Sequence, residues 1–454
     1  MRNINLAVIL ILVTAMLGCS GEDKGNTAIV KAKFAVSDSI DNSKDFSEIG
    51  LTIIKKDSAN ADADTLFHSL TDSTGALLGK AHFPEKRQYT AIIIRNKRNL
   101  AQIGIILADG DTVEVSGELP DLRNTLEVQS REHKAMEVFQ RVNRGFQRVA
   151  TYVQTGRLTG DSLRNEINKW SDLYWQVYLD HEGTLASRVA ASEAVRLLQG
   201  LNNENMMDKI RSLQKKDEFI SLGATYGKNY LASEKGLDYT LNYLDTLQNN
   251  ALSDETNMRV KMERIKLLYD SARVDKAKEL LQEFKNNYEN NSDAKSWSEA
   301  ISYDLNYLSP GDTIPSFSFQ VNGDTVSRDS LLGTPYILEI TTLANRLYQE
   351  QYDRTVAIHS LYKNFGLQVV TIPLDNSQVT IDAFFEARGV QPWPVASAQA
   401  FQREKLLDLF NIRVVPTRFL IDRKGKIVRK YVGREYDDVI QGIQSIIKKD
   451  NTTS

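Results

Sequence analysis

Hydrophobic positions follow two different periods along the chain. Between residues 27 and 128, aliphatic and β-branched residues alternate with polar ones in stretches such as AIVKAKFAV, YTAIIIRN and DTVEVSGEL. A period of two is typical of half-buried strands. Val113 and Val115 are therefore expected to face a core, while Glu114 faces solvent. We predict a small sandwich or open barrel for residues 27–128.

From residue 129 to residue 307 the apolar residues recur every three or four positions. HKAMEVFQRVNRGFQRVATYV and NMRVKMERIKLLYDSARVDKAKELLQEFKNNYE show this spacing, and the region contains no proline. Apolar residues at these intervals form one face of a helix, and a proline would interrupt it. The region is predicted to be a set of amphipathic helices.

Two prolines and a glycine in LSPGDTIPSFSF, residues 308–319, mark a boundary after the helical region. Strands and helices alternate beyond it, which predicts a mixed α/β sheet. The predicted elements are a strand over 336–340, a helix over 344–365 that ends before Gly366, a strand in LQVVTIPLD, helices over 378–388 and 402–410, a hairpin over 418–431 and a helix over 436–448. The strands are apolar enough that residues 308–449 are expected to fold unaided.

The chain begins MRNINLAVILILVTAMLGCS, in which a basic residue precedes a short apolar run. This pattern is typical of a secretory signal peptide, and the run is too short to span a bilayer. The segment MLGC resembles a bacterial lipobox, which implies cleavage before Cys19 and acylation of Cys19. An ordinary signal peptide with an incidental cysteine is the alternative. We predict a lipoprotein signal peptide over 1–18 and a flexible tether over 19–26.

Composition removes several classes of function. Lysine and arginine total 56 against 59 acidic residues, spread along the chain, which argues against nucleic-acid binding. Thiol–disulfide exchange within one chain needs two sulfur atoms, whereas Cys19 is the only cysteine. No two histidines stand at zinc-ligand spacing; they are His68, His82, His133, His181 and His359. We therefore predict no catalytic residue, metal or cofactor.

Residues 308–449 resemble the TlpA/ResA-type thioredoxin-like domain of the bacterial envelope. The resemblance is carried by PGDTIPSFSF and VVPTRFLIDRKGKIV. The order of lipobox, β domain, helical middle and C-terminal domain is similar to that of Bacteroidota lipoproteins. The resemblance implies an α/β thioredoxin-like C-terminal domain over 308–449, preceded by an all-β N-terminal domain over 27–128 and a helical middle region over 129–307.

In that family the active site is W-C-x-x-C at a helix N-terminus. Asn345 and Tyr348 stand where the two cysteines would be. A helix N-terminus stabilises a thiolate, but asparagine cannot form that anion, so Asn345 is expected to cap the helix and Tyr348 to pack. The family also implies that Pro416 is cis and exposes the backbone of Val415 to an extended partner, unless Pro416 serves only the turn. The candidate groove comprises Asn345, Tyr348, Trp393, Val415, Pro416 and Thr417.

Three hypotheses about function follow. The first is a cell-envelope protein, lipid-anchored to the outer membrane on its periplasmic or surface side, whose redox-inactive thioredoxin-like domain binds an envelope protein or peptide. The second is a thiol-disulfide oxidoreductase or thiol peroxidase, which the missing cysteines oppose. The third is a glycan-binding accessory lipoprotein, supported only by aromatic residues that could equally form a helical core: Trp170, Tyr174, Trp175 and Tyr178.

Overall fold

A computed structural model describes residues 25–37, 45–56, 63–154, 157–389 and 393–453. The predicted signal peptide, Cys19 and most of the predicted tether lie outside these residues. The chain forms two compact units, Met1–Met206 and Met207–Ser454. Within the described ranges, no helix combines the length and the apolar character needed to cross a membrane. The domain boundaries expected from the sequence remain predictions.

The first unit contains two four-stranded sheets, with strand orders β4-β1-β7-β8 and β3-β2-β5-β6. The strands are β1 (Asn26–Val36), β2 (Gly50–Lys55), β3 (Asp64–Leu70), β4 (Ala76–Phe83), β5 (Arg87–Arg95), β6 (Arg98–Leu107), β7 (Thr112–Leu119) and β8 (Glu127–Gln129). Val30 of one sheet and Leu51 of the other are buried in a single hydrophobic core. Val113 and Val115 are buried and Glu114 is exposed, as the alternation predicts.

Helices follow these sheets. They are α1 (Leu122–Thr125), α2 (Arg131–Gln154), α3 (Gly160–Asp180), α4 (Leu185–Leu198) and α5 (Asn203–Leu213). The apolar stripe of α3 buries Ile167, Tyr174 and Val177, at the spacing of one helical face. Tyr174 packs against Phe139 and Phe146 of α2, so the stripe joins the two helices.

The second unit begins within α5, at Met207, and continues with further helices. They are α6 (Ile220–Leu222), α7 (Lys228–Glu234), α8 (Leu237–Asn250), α9 (Asp254–Asp270), α10 (Val274–Asn287) and α11 (Ser292–Tyr307). Ser253 and Asn291 cap α9 and α11 by accepting hydrogen bonds from backbone N–H groups. Ile265, Leu281 and Ile301, one from each of the last three helices, share a hydrophobic core.

The C-terminal part of this unit is built on one four-stranded sheet. After a hairpin of β9 (Ser318–Val321) and β10 (Asp324–Ser327), its strands are β11 (Tyr336–Thr341), β12 (Gln368–Pro373), β13 (Thr417–Ile421) and β14 (Ile427–Val432), in the order β12-β11-β13-β14. Strands β11 and β12 are parallel, and the other pairs are antiparallel. The remaining helices are α12 (Arg346–Tyr362), α13 (Gln378–Glu386), α14 (Arg403–Leu409) and α15 (Val439–Thr453).

Side chains on the two faces of this sheet enter different cores. Leu338 and Ile340 face the core that contains residues of α14, whereas Ile337 and Leu420 face the core under α12, α13 and α15. A parallel β-α-β unit joined to an antiparallel hairpin, with helices on both faces, is the thioredoxin-like fold, which confirms the predicted fold class. One helix start was predicted wrongly: a 3₁₀ turn occupies Gly433–Asp438, and α15 begins only at Val439.

Candidate functional site

The N-terminus of α12 follows the carboxyl end of β11 through a short turn. The Asn345 N–H donates to the carbonyl of Thr342 at 3.0 Å. The Oδ1 atom of Asn345 accepts a hydrogen bond from the N–H of Tyr348, also at 3.0 Å. Asn345 is therefore the N-cap of α12, which confirms the role expected for this residue type at a helix start.

The same side chain also reaches the loop before β13. The Nδ2 atom of Asn345 donates to the carbonyl of Val415 at 3.2 Å. The Val415–Pro416 peptide bond is cis, and the carbonyl of Pro416 accepts from the N–H of Gly433 at 2.9 Å. One amide thus joins the helix start to the cis-proline loop at the position where the related family carries its first cysteine.

Not every candidate for the groove lies at the surface. Asn345 and Val415 are half-buried and Pro416 is buried. Tyr348, Trp393 and Thr417 were predicted to line the groove, but their exposed fractions are 0%, 5% and 1%. Those three side chains belong to the core. A position in the sequence can place a residue near the site, but it does not decide which way the side chain points. Tyr348 packs among Tyr352, Phe384 and Arg418.

Val414, which the sequence did not single out, is the exposed side chain beside the cis-proline. It is 52% exposed, while its carbonyl accepts a 2.6 Å hydrogen bond from the Thr417 hydroxyl. Among the described residues, none accepts a hydrogen bond from the N–H of Val415. Val414 therefore places an apolar side chain at the surface, and the next residue, Val415, has a backbone N–H with no acceptor among the described residues.

A fully buried polar cluster lies on the α12 side of the sheet. The Nε atom of Arg418 donates to the Glu339 carboxylate at 2.6 Å, and Nη1 donates to Gln351 at 2.7 Å. The Thr371 hydroxyl donates to the other carboxylate oxygen at 2.9 Å. The guanidinium also lies 3.9 Å from the ring centroid of Tyr436. This cluster ties three strands of the sheet to α12.

The cluster places two charged side chains inside the strands at 336–340 and 418–421, which were described from the sequence only as apolar enough to fold unaided. Glu339 and Arg418 interrupt those apolar runs, and they stand directly opposite each other in the β11–β13 register. One acid in one apolar strand and one base in another were visible in the sequence. That pattern is the signal that could have identified the pair, because buried charges are rarely left unpaired.

Gly433, beside the site, is held by contacts that extend to α9. Its carbonyl accepts a hydrogen bond from Gln351 Nε2 at 3.3 Å. Glu435 accepts from the N–H of Val432 at 3.0 Å and pairs with Lys266 of α9 at 3.3 Å. The 3₁₀ turn next to the cis-proline loop is therefore anchored on both sides.

Helix α11 docks beside the same loop through a second buried ion pair. The Nζ atom of Lys430 lies 2.8 Å from a carboxylate oxygen of Asp304. The side-chain amide of Asn411 donates to that carboxylate and to the Ala300 carbonyl, each at 2.8 Å. Burial lowers the pKa of Lys430, and the carboxylate of Asp304 opposes that shift.

The aromatic residues of α3 and the ring of His359, which were considered as candidates from the sequence, have packing roles in the structure. Tyr174 and Tyr178 of the aromatic stripe are buried, as the helical-core alternative expects, while Trp170 packs on Phe146. The ring of His359 lies 5.6 Å from that of Trp393. In the part of the chain that the structure describes, no group of histidine, cysteine and acidic residues is arranged to hold a metal ion.

Comparison with known proteins places this domain among thioredoxin-fold proteins. ResA of Bacillus subtilis, a thiol-disulfide oxidoreductase, is 23% identical over 147 residues, which are 32% of this chain and 80% of ResA. ResA of Bacillus anthracis is 25% identical over 85 residues, 19% of this chain and 47% of that protein. About a third of this chain is homologous to thioredoxin-fold thiol-disulfide oxidoreductases. No protein-family model matches the chain.

Solved structures of the same kind also match. The thioredoxin domain of a thiol-disulfide oxidoreductase from Bacteroides vulgatus is 16% identical, covers 30% of this chain and 98% of that chain, and has a TM-score of 0.27. StoA of Bacillus subtilis is 19% identical, covers 26% of this chain and 89% of that chain, and has a TM-score of 0.23. The homology covers about a third of the chain, and the remainder is described by its own structure alone.

Proposed function

We propose that the chain is a lipid-anchored cell-envelope protein whose thioredoxin-like domain binds an extended segment of an envelope protein or peptide without redox chemistry. The observation that carries the proposal is the pair of hydrogen bonds made by Asn345. Its oxygen caps α12 and its nitrogen binds the Val415 carbonyl. A neutral amide with both ends engaged supplies no nucleophile.

Redox chemistry would require groups that this chain does not carry. Disulfide exchange needs an attacking thiolate and a second sulfur, and the only cysteine is Cys19. Position 348, the second cysteine position of the related family, holds a tyrosine with no exposed surface. The homology to oxidoreductases is therefore explained by the shared scaffold, and the scaffold is proposed to serve binding.

Binding by this scaffold needs only backbone groups and a small apolar contact. An extended partner would accept from the Val415 N–H, and the Val415 carbonyl keeps a second lone pair beside the bond from Asn345. Val414 would contact an apolar side chain of the partner. Such pairing adds a strand-like segment to an exposed backbone edge, a common mode of peptide recognition.

Cys19 is proposed to carry the acyl chains that hold the protein on the outer membrane, on the periplasmic or surface side. The anchor would keep the binding domain close to other envelope proteins and raise their effective concentration. Replacing Cys19 with serine is expected to release the protein from the membrane fraction and abolish acyl labelling. Unchanged fractionation of that variant would contradict the anchor.

A photo-crosslinking amino acid at position 414 tests the binding site in the native envelope. The same amino acid at position 379 is a matched control, because Val379 is 78% exposed on α13. We expect a discrete adduct from position 414 that is absent from position 379. Equal labelling at both positions would overturn the assignment of the groove. Insulin reduction by the purified protein would overturn the hypothesis that the domain is redox-inactive.

A further inference from the structure

A second surface lies at the end of the sheet away from Asn345. Asn345 follows the carboxyl end of β11, whereas Leu332 precedes its amino end. Leu361 and Phe365 lie at the far end of α12. Exposed fractions of Leu332, Leu361 and Phe365 are 54%, 67% and 54%. Large apolar side chains exposed together at one end of a domain mark an interaction surface.

Hydrogen bonds join the segments that carry these side chains. The guanidinium of Arg423 donates to the carbonyl of Gly333 at 2.9 Å and to the carbonyl of Phe365 at 3.0 Å. A methyl group of Leu332 lies 3.1 Å from the point where a Cβ on Gly425 would stand. The segment before β11, the end of α12 and the β13–β14 turn are therefore one continuous surface.

The charges around these apolar residues are mainly positive. Lys363 and Lys424 are exposed, and neither has an acidic partner within ion-pair distance among the described residues. The acid of the same turn, Asp422, accepts from the backbone N–H groups of Lys424 and Lys426 at 2.8 and 2.9 Å. We name the exposed apolar residues together with Lys363, Arg423 and Lys424 the basic patch.

We propose that the basic patch contacts an anionic phospholipid surface. Leu332, Leu361 and Phe365 would enter the boundary between headgroups and acyl chains, and Lys363 and Lys424 would lie against the headgroup phosphates. Leucine or phenylalanine flanked by lysine is the combination that binds membrane interfaces, and each cation near an anionic leaflet adds attraction. Charge favours a lipid surface over a two-fold contact with a second copy, because such a contact would bring the same lysines of both copies face to face.

The contact gives the proposed function an orientation. The basic patch and the Asn345–Val415 site lie at opposite ends of β11 and α12, so a domain resting on the bilayer through the patch would turn the site away from the lipid. The inference rests on the proposed anchor only for bringing the domain to the membrane. Its lipid contact requires no acyl chain, and it can therefore be measured without one.

Vesicle co-sedimentation tests the inference directly. The chain from residue 20 retains every described residue and lacks Cys19, so acyl chains cannot contribute. We expect it to bind vesicles of phosphatidylglycerol and phosphatidylcholine at low salt, and to bind pure phosphatidylcholine at least about tenfold less well. Leu361→Ser with Phe365→Ser should weaken binding to the anionic vesicles at least about tenfold. Leu252→Ser, at a site that is 84% exposed in another loop, is the control and should change binding less than about twofold.

The results of this experiment distinguish a lipid surface from a second copy of the chain as the partner of the basic patch. Equal vesicle binding by the patch variant and the parent, or no binding by the parent, would overturn the lipid contact. A dimer that the patch variant abolishes, without vesicle binding, would assign the surface to a second copy and overturn it equally. A thermal melt checks that the patch variant is folded. Crosslinking from position 414 reports the proposed peptide site separately, so the two proposals fail independently.

Discussion

Arg418 and Glu339 form an ion pair whose side chains are both fully buried, one in each of two adjacent central strands. Their closest atoms, Nε and Oε1, are 2.6 Å apart. Taking two charges out of water is costly, and mutual attraction offsets the cost only where further hydrogen bonds satisfy the remaining polar atoms. Gln351 and Thr371 provide two such bonds here, whereas the Nη2 atom of Arg418 is buried without a hydrogen-bond partner among the described residues. Removing one partner alone should therefore lower the stability of the protein strongly.

Arg418→Met is expected to lower the free energy of unfolding by about 3–5 kcal/mol, because it leaves the carboxylate of Glu339 buried without a counter-charge. Adding Glu339→Leu should restore most of the loss, since the double variant replaces the pair with apolar groups. Urea unfolding of the parent, the single variant and the double variant measures both effects. A single variant within about 1 kcal/mol of the parent would contradict the importance of the pair.

This pair also marks the limit of what periodicity could predict. Two predictions follow from local rules, and the structure confirms both. The alternation of residues places Val113 in the core, and the residue type at the helix start makes Asn345 the N-cap. The pairing of Glu339 with Arg418 depends on the register between strands that are far apart in the sequence. The burial of Trp393 depends on how α12 and α13 pack. A resemblance to the family motif does not predict that packing.

Asn345 should stabilise the start of α12 through its side-chain oxygen. Asn345→Ala is expected to cost about 1 kcal/mol, the usual loss for a removed N-cap. Asn345→Ser keeps a capping oxygen but is too short to reach Val415, so its stability should stay close to that of the parent. Hydrogen exchange at the Tyr348 amide reports the cap, and it should accelerate only in the alanine variant. Equal acceleration in both variants would show that the bond to Val415 matters more.

Asp304 should be essential for the docking of α11. Asp304→Ala leaves the ammonium of Lys430 buried without its partner, and we expect a loss of about 3–5 kcal/mol in unfolding free energy. The exposed pair Lys31–Glu114, with side chains 50% and 55% exposed, is the control. Glu114→Ala should change stability by less than about 1 kcal/mol. Similar effects of the two substitutions in urea unfolding would contradict the buried pair.

The same contacts change what is expected of the isolated C-terminal domain. A fragment from residue 308 lacks Asp304 and the Ala300 carbonyl, which hold Lys430 and Asn411. A fragment from residue 291 retains them together with the cap of α11. We expect fragment 291–453 to unfold cooperatively and at a higher urea concentration than fragment 308–453. Equal midpoints would show that residues 308–449 complete their own core, as the apolar strands alone suggested.

His359 should make stability depend on pH below neutrality. Its ring is half-buried against Trp393, and burial, with a smaller contribution from the charge of Lys363, lowers its pKa below the ordinary value of 6.5. Below pH 6.5, His359 is therefore protonated in the unfolded chain while it is still neutral in the folded chain. Acidification then favours unfolding until the pH reaches the lowered pKa. Above pH 6.5 the residue is neutral in both states and contributes no slope.

The free energy of unfolding is therefore expected to fall between pH 7 and pH 5 more steeply in the parent than in His359→Gln. Lys363→Gln separates the two causes, because it removes the nearby cation and leaves the ring buried. Most of the parent's slope should remain in that variant, since burial is the larger cause. Urea unfolding at half-unit pH intervals measures the slopes. If His359→Gln and the parent lose stability in parallel, protonation of His359 is not what destabilises the fold in acid.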